Sequence, residues 1–412
     1  MDEEPRNLSA AVTVQVDGSR SRRRPPAPVI VAVAAAMGLA GCGPRPMVST
    51  PGGATSPSRA DRPMRLEVAA VCELARDTSR PSSDPARVGG LSGLLHEPER
   101  GTYLAVSDDQ RVPRMYRLRL AIDGHDCRAE VLDTMVLRWP DDATPAREAR
   151  DFEDLTRGPD GSLLLVNEHD AGPLPITMPG LHRFTEAGQY IESIPVPPHA
   201  IPGPGRGVRD NAAFEGVTMS RGGDRIYVAP EQPLVQDDDV ATFARGGASR
   251  LFEYHRDGDR FLVGRELIVP IDPLPHPGDI LAEWADTGIV SLVTLDDGSL
   301  LMMERSFVKG TASGRPASRN DILLSRIRLD RADDVTPLNS LRGALARPVE
   351  KQRLLSLREV IADLPPWLAM LDNFEGMTLG PPLADGSASL VLVSDDNFSE
   401  AQRTAFIVLR IR

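Results

Sequence analysis

The sequence predicts an all-β protein, because short apolar runs rich in Leu, Val, Ile and Met alternate with turn residues along most of its length. One sequence unit occurs five times, with copies roughly 60 to 85 residues apart. Two weaker copies begin at Gly90 and Gly288. The three stronger copies contain Asp151-Phe152-Glu153-Asp154-Leu155-Thr156, Ala213-Phe214-Glu215-Gly216-Val217-Thr218 and Asn373-Phe374-Glu375-Gly376-Met377-Thr378.

Each unit contains a predicted β-hairpin, in which two apolar runs flank a turn such as Pro159-Asp160-Gly161. Further strand-like runs lie between the hairpins, at residues 115–120, 180–184, 250–254, 322–329 and 406–411. A single unit is too small to bury its own apolar face, so the units must pack on one another. Repeated hairpins with outer strands indicate a β-propeller of five to six blades.

The two ends of the folded part should meet in one blade. The first strand, at residues 66–71, is expected to pair with the last, at residues 404–412, which closes the ring and leaves no long exposed edge. Residues 233–247, 309–320 and 338–366 are predicted insertions, and among them 354–364 has a helical pattern.

The N-terminal region has the features of a targeting segment. Four arginines, Arg20 and Arg22 to Arg24, precede an apolar run at residues 29–40 that is too short to span a membrane as a stable helix. The run ends in Leu39-Ala40-Gly41-Cys42, which resembles the lipobox of bacterial lipoproteins. This resemblance implies a signal peptide over residues 1–41, lipid attachment to Cys42, and an extracytoplasmic protein anchored to the membrane. A Pro/Gly/Ser-rich tether over residues 42–63 should lead to the propeller domain at residues 64–412.

Two cysteines remain in the mature chain, Cys72 and Cys127. An oxidising compartment permits a disulfide between them, which would fasten the N-terminal strand to the outer part of the first blade. Two unrelated buried thiols are the alternative.

The composition gives limited evidence about ligands. The formal net charge of −12 argues against a nucleic-acid surface, and the aromatic content of 4% gives no sign of a stacking platform for bases. The chain also lacks a G-x-S-x-G nucleophile elbow.

The hairpins predict where the acidic residues meet. In an antiparallel hairpin the first residue of one strand lies beside the last residue of the other, so Glu153 should neighbour Glu168, and Glu215 should neighbour Glu231. By the same argument eight carboxylates converge on one rim: Asp108, Glu153, Glu168, Glu215, Glu231, Glu304, Glu375 and Asp395.

So many carboxylates cannot all stay ionised without a counter-charge. Protonation, pairing with arginine and a bound cation such as Ca²⁺ are the three remedies, and Arg305 is the nearest arginine in sequence. Alternatively, a repeated Glu before Gly accepts backbone N–H bonds that hold one blade to the next.

The same motifs resemble the family named for "esterase-like activity of phytase", found in secreted and lipid-anchored bacterial proteins. The resemblance covers residues 64–412 and includes the Ser-Asp-Asp sequences that end at Asp109 and Asp396. It implies Ca²⁺-dependent hydrolysis of phosphate esters, with metal ligands at Glu153, Glu168, Glu215, Glu231, Glu304 and Glu375. Arg305 would steady the phosphoryl oxygens. The chain lacks the lysine-rich cleft of the phytases, so a smaller phosphate ester or a carboxylic ester is expected as substrate.

Two further features have competing explanations. His169 follows Glu168 and could act as a general acid, or it is an exposed loop histidine. Asp237-Asp238-Asp239 lies in a predicted insertion without an EF-hand loop around it, so a solvated charge run is expected in preference to a site. The sequence thus predicts an anchored hydrolase of a small-molecule ester, with a non-catalytic propeller that binds a protein or envelope ligand as the alternative.

Overall fold

The computed structural model describes residues 64–76, 87–123, 126–140, 151–168 and 178–412. All of them lie in one compact unit, Asp61–Arg412. The predicted signal peptide, the predicted lipidation site Cys42, the predicted tether and His169 fall outside the described residues. Among the residues described, no helix has the length and apolar character needed to cross a membrane.

The described strands form five antiparallel sheets of four strands each, which we call blades 1 to 5. Blade 1 contains β2 (Leu91–Glu97), β3 (Thr102–Ser107), β4 (Arg114–Asp123) and β5 (Asp126–Val136). Blade 2 contains β6 (Phe152–Arg157), β7 (Leu163–Asn167), β8 (Gly180–Phe184) and β9 (Tyr190–Ile194). Blade 3 contains β10 (Phe214–Met219), β11 (Arg225–Pro230), β12 (Gly247–Asp257) and β13 (Arg260–Ile271). Blade 4 contains β14 (Leu281–Thr294), β15 (Leu300–Ala312), β16 (Arg315–Arg328) and β17 (Glu350–Ser356). Blade 5 contains β18 (Asn373–Gly380), β19 (Ala388–Asp395), β20 (Ala405–Ile411) and β1 (Leu66–Glu73).

The blades form a closed ring. Each first strand of a blade contacts the first strand of the next, through β2, β6, β10, β14 and β18, and β18 contacts β2 again. The predicted β-propeller is therefore confirmed, and it has five blades.

Apolar side chains fill the space between neighbouring blades. The second strands β3 and β7 are buried along their whole length because they have sheet neighbours on both sides and other blades on both faces. One cluster between blades 1 and 2 combines Leu104 and Val106 with Phe152 and Phe184. This packing fixes the angle at which adjacent blades meet and holds the inner ends of the hairpins together.

Strand pairing between the two ends of the chain closes the ring, as predicted. In blade 5, β1 pairs antiparallel with β20, from Leu66 opposite Ile411 to Glu73 opposite Ala405. The Cys72–Cys127 disulfide is also confirmed, with Cα atoms 4.9 Å apart. It joins β1, the outermost strand of blade 5, to β5, the outermost strand of blade 1.

Two of the predicted insertions are parts of blade 4 instead. Residues 309–320 continue β15 and β16, which pair up to the turn between Ala312 and Arg315. Residues 338–366 include β17, and the predicted helix at 354–364 begins inside that strand before continuing as a 3-10 helix, Leu357–Asp363. Residues 233–247 do connect β11 to β12 as a loop.

The expectation of a solvated Asp237-Asp238-Asp239 run is wrong for Asp237. Its carboxylate is buried and accepts hydrogen bonds from Arg250 Nε and Nη2 at 2.6 and 2.9 Å. Arg250 is equally buried and also contacts Glu266, so the pair anchors the loop between β11 and β12 to blade 3. A buried ion pair of this kind requires such additional hydrogen bonds to offset desolvation.

Candidate functional site: an acidic central cavity

Every inner hairpin contains a β-bulge at the same position. The pairing skips one residue between Phe152 and Asp154, where Phe152 faces Asn167 and Asp154 faces Val166. The equivalent bulges occur in the other four blades. The residues left out of the pairing are Ser92, Glu153, Glu215, Val290 and Glu375. Bulges re-aim side chains in this way next to functional sites.

A second set of side chains lies on the second strand of each hairpin, opposite the bulge. In blade 2, for example, Phe152 precedes the bulge and pairs with Asn167, and the next residue, Glu168, belongs to this set. These residues are Asp108, Glu168, Glu231, Arg305 and Asp395. Their backbones are fixed by pairing, as in the bonds from Glu168 N–H to Asp151 O (3.1 Å) and from Glu231 N–H to Ala213 O (2.7 Å). Blades 2, 3 and 5 therefore each present two acidic side chains at the open end of the hairpin, and blades 1 and 4 each present one charged side chain, Asp108 and Arg305.

The three glutamates of the first set and all five residues of the second set line one cavity of about 650 Å³. Its acidic lining residues are Asp108, Asp151, Glu153, Glu168, Asp210, Glu215, Glu231, Asp286, Glu375 and Asp395. Arg305 is the single cationic residue among the described residues that line it. The backbone of β14 at Gly288 lies close to the side chain of Glu231, since a Cβ on Gly288 would lie 2.3 Å from Cγ of Glu231.

Two groups of three carboxylates have the spacing of a metal site. In each group one oxygen per residue lies within 4.8 Å of the others: Asp151, Glu153 and Glu168 in the first, and Glu168, Glu215 and Glu231 in the second. Glu168 belongs to both groups. Its side chain hydrogen-bonds to Glu215 and also accepts the Ala213 N–H at 3.1 Å, so it links blades 2 and 3.

Burial and mutual repulsion favour the protonated forms of these acids. Burial, together with the charges of Asp151 and Glu168, raises the pKa of Glu153 well above its ordinary value. Burial and Glu231 do the same to the pKa of Glu168. The pKa of Glu231 rises to about 8 through burial and the nearby Asp286. Burial and Glu375 raise the pKa of Asp108 to about 8.

Arg305 supplies part of the counter-charge. Its Nη1 donates to Asn373 Oδ1 at 2.8 Å, its Nη2 donates to Glu231 Oε1 at 3.1 Å, and its Nε lies 3.5 Å from Glu375 Oε1. Burial alone would lower the pKa of Arg305, but Glu375 and Glu231 outweigh it and raise this pKa. One guanidinium cannot neutralise ten acidic neighbours, so charge balance in the cavity requires protonation of the other acids or a further cation.

Glu304 does not join this site, which corrects its expected place among the rim carboxylates. Glu304 pairs with Ile289 and so occupies the strand position that Asn167 has in blade 2 and Pro230 has in blade 3. Arg305, the next residue, occupies the position of Glu168 and Glu231. Neighbouring residues of a strand point to opposite faces. The Glu304 carboxylate accordingly lies 2.6 Å from Nζ of Lys351 and accepts the Asp272 N–H at 2.8 Å.

The structure places the other predicted carboxylates and Arg305 around one cavity, and it adds several residues that were missed. Asp151 and Asp286 line the cavity, and each accepts a hydrogen bond from a lining glutamine, Gln110 or Gln232, at 2.7 Å. Asp151, with φ of 59°, has left-handed backbone. The lining residues Asn211 and Asn397 also have positive φ, at 49° and 47°. Such backbone outliers cluster at functional sites, but no sequence pattern revealed them here.

The donor set fits a hard divalent cation. Every member of the two groups offers a carboxylate oxygen, which is the ligand type that Ca²⁺ takes in sets of six to eight. Bound positive charge would let these acids ionise despite burial. Soft metals that select thiolate would find no such ligand among these residues.

Fold and site together define a five-bladed propeller with an acidic cavity at the open ends of its inner hairpins. A family model described as "Esterase-like activity of phytase" matches residues 86–398. The chain belongs to this phytase-like family, as the motifs around Phe152, Phe214 and Phe374 had indicated.

The solved structures that resemble the chain do so weakly. They include an endo-arabinase from Bacteroides thetaiotaomicron, with 11% identity, a TM-score of 0.38, and coverage of 82% of this chain and 97% of that one. An α-L-arabinanase from Penicillium chrysogenum in complex with arabinobiose has 11% identity, a TM-score of 0.38, and coverage of 84% and 98%. A search of curated proteins finds no match. We infer no chemistry from similarities this low.

Proposed function

We propose that this protein is a hydrolase that uses divalent metal, with Ca²⁺ as the first candidate, to cleave a phosphate or carboxylic ester in the acidic cavity. The observation that carries the proposal is the pair of three-carboxylate groups that share Glu168. The first group lies within the inner hairpin of blade 2, whereas the second combines Glu168 of blade 2 with Glu215 and Glu231 of blade 3, so the packing of two blades assembles the second ligand set. A cation bound there would polarise the ester and lower the pKa of a water molecule.

The protein's own residues have distinct roles in this proposal. Asp151, Glu153 and Glu168 would hold one cation, and Glu168, Glu215 and Glu231 a second. Arg305 lies between Glu231 and Glu375 and would donate hydrogen bonds to a substrate oxygen that carries negative charge. Asp395 and Glu375, which belong to blade 5, would accept hydrogen bonds from water and orient it.

The charge of the cavity favours a small substrate. The chain contains two lysines, of which Lys351 is paired with Glu304 outside the cavity. A highly phosphorylated ligand would meet ten acids and one arginine there. A substrate with a single ester group demands much less cationic surface.

Hydrolysis of p-nitrophenyl phosphate and p-nitrophenyl acetate with EDTA and with added Ca²⁺ tests the proposal. We expect Ca²⁺ to restore one of the two activities, and Glu168→Gln to abolish it because both groups lose a ligand. Glu304→Gln is the matched control, since Glu304 is equally buried but bonded to Lys351, and it should retain the Ca²⁺ response.

The proposal would be refuted if divalent metal changed neither the melting temperature nor the hydrolysis rate of the folded protein. The carboxylates would then act as fasteners between blades, as the Glu168 bond to Ala213 N–H already does, and the cavity face would be a binding surface. A metal-independent partner recovered on the propeller would support that second function.

We also propose that the protein is a lipoprotein anchored outside the cytoplasm through Cys42. The Leu39-Ala40-Gly41-Cys42 sequence supports this localisation, and the Cys72–Cys127 disulfide is compatible with an oxidising compartment. Labelling with a fatty-acid analogue should mark the native protein and fail to mark Cys42→Ser. Equal labelling of both would contradict the anchor.

A further inference from the structure

The acidic cavity has two chemically different sides. On the side of blades 1 and 5 its lining is polar, with Asp108, Asn373, Asp395 and Asn397 among the residues. On the side of blades 3 and 4 it includes apolar residues: Ala212, Val240, Ala241, Trp284 and Ala285. The five-fold repeat of the bulges does not account for this asymmetry, which comes from the segment before β10, the β11–β12 loop and the start of β14.

Trp284 is the largest of these apolar groups, and it is unusually exposed. It keeps 52% of its surface accessible, in a chain with three tryptophans and 4% aromatic residues. Val240, another apolar residue that lines the cavity, is 37% exposed. Large apolar side chains beside a polar cavity are a mark of ligand sites, in which a few polar groups fix orientation and apolar walls supply contact.

Blade 4 is built to hold this tryptophan at the cavity. Its strands β14 and β15 have 14 and 13 residues, whereas the corresponding strands of blade 2 have 6 and 5. The extra length carries Trp284 beyond the bulge, opposite Lys309 in the ladder. Phe307 lies against the indole with ring centroids 5.7 Å apart, and it supports one side of Trp284 while leaving much of the indole exposed.

We infer that Trp284, with Val240 and Ala241, forms a subsite for an aromatic ring in the substrate, so that the protein acts on aryl esters. The inference rests on the proposed function, because the carboxylate groups and Arg305 would hold the ester end of the same molecule. An aromatic ring gains apolar burial and favourable ring-to-ring geometry against an exposed indole. The negative cavity disfavours a second anionic group on the ring, so a neutral ring fits best.

Binding of two phosphonates to the Ca²⁺-loaded protein tests the subsite without requiring turnover. Phenylphosphonate and methylphosphonate share the anionic group and differ in the ring, and isothermal titration calorimetry measures both affinities. Phenylacetate and acetate form the equivalent pair for a carboxylate anion. We expect the wild-type protein to prefer the aryl member of a pair by on the order of tenfold, as one aromatic stacking contact provides.

Three variants separate the subsite from the fold. Trp284→Ala should abolish most of the aryl preference, and Trp284→Phe should keep much of it because a ring remains. Leu281→Ala is the matched control, since Leu281 lies on the same strand, is 74% exposed and does not line the cavity. That variant should behave as the wild type.

The outcomes distinguish this inference from the proposed function. If anion binding depends on Ca²⁺ but the wild type and Trp284→Ala show the same aryl preference, the aromatic subsite is overturned. The proposed function then remains intact. If the protein binds none of the four anions, the proposed function is overturned, and the aromatic subsite is overturned with it.

Discussion

Glu231 shows how its position in the fold changes the protonation of an ordinary side chain. A glutamate in water is ionised at neutral pH, but Glu231 is 2% exposed, faces Asp286 and receives only partial compensation from Arg305. Its pKa rises to about 8 as a result. A cavity lined by such groups can either hold protons or exchange them for a metal ion, and the two states differ in stability.

The metal-free protein should lose stability as pH rises. Between the ordinary pKa of 4.5 and the folded-state value of about 8, folded Glu231 keeps a proton that the unfolded chain releases. The folded state therefore binds more protons in this window, and the free energy of unfolding falls as pH increases through it. Melting temperatures in EDTA between pH 5 and 8 should decline accordingly, and added Ca²⁺ should remove most of the decline.

Glu231→Gln is the corresponding control, because an amide has no proton to release. We expect a shallower pH dependence in this variant, although the other acids of the cavity still contribute. A melting temperature in EDTA that stays constant or rises between pH 5 and 8 would show that these acids remain ionised in the folded protein.

At the scale of the element, the bulged hairpin is the unit that builds the site. The turns and apolar runs were recognisable in the sequence because Asp-Gly-Ser turns recur, as at Asp160-Gly161-Ser162 and Asp297-Gly298-Ser299. The bulge was not recognisable, since it leaves no residue signature. A shift of one residue reverses the face of a strand, and this is why Glu304 was expected at the site where Arg305 lies.

Gly376 should tolerate no side chain, because blades 5 and 1 approach closely at its bulge. A Cβ there would lie 2.3 Å from the backbone oxygen of Ser92. Gly376→Ala should therefore lower the free energy of unfolding by about 1–3 kcal/mol, as overpacking does. Urea denaturation measures this loss. Gly222→Ala is the control, because the nearest atom there belongs to the flexible side chain of Asp224 at 3.1 Å, and an equal loss in both variants would contradict the argument.

Asp154 connects three blades beneath the bulges. Its Oδ2 accepts hydrogen bonds from the Val217 N–H at 3.1 Å and from Ser291 Oγ at 3.2 Å, in blades 3 and 4. The equivalent residues of the other blades are Gly93, Gly216, Ser291 and Gly376. Because these residues are small, the carboxylate of Asp154 has room to contact the neighbouring blades. Aligning the repeats by their acidic residues would not have predicted this role.

Asp154→Ala should destabilise the protein more than Asp154→Asn. The alanine variant leaves buried donors of two other blades without an acceptor, at a cost of about 1–3 kcal/mol for each such group, whereas the asparagine oxygen can still accept. Chemical denaturation of both variants measures the difference. Ser291→Ala serves as the reference for loss of one donor, and equal stability of all three variants would contradict this role.

At the scale of the whole molecule, the ring depends on joining chain ends that are far apart in sequence. The closed circle and the pairing of the first with the last strand were predictable, because a propeller with open edge strands would expose unpaired backbone groups. The number of blades was not fixed by length, since extra residues lengthened the strands of blade 4 and did not form a sixth blade. The spacing of the repeats in the sequence cannot distinguish longer strands in one blade from an additional blade.

The Cys72–Cys127 disulfide should stabilise the closed ring, because it holds the outermost strand of blade 5 against the outermost strand of blade 1. The two cysteines are 55 residues apart, so the crosslink restricts the unfolded chain, and its removal should cost about 2–4 kcal/mol. We expect Cys72→Ala/Cys127→Ala to unfold at lower urea concentration than the wild type, and a reducing agent to lower the stability of the wild type alone. The metal response should survive in the double variant, because the carboxylate groups belong to blades 2 and 3. Loss of that response together with the disulfide would show instead that closure of blades 5 and 1 controls the geometry of the cavity.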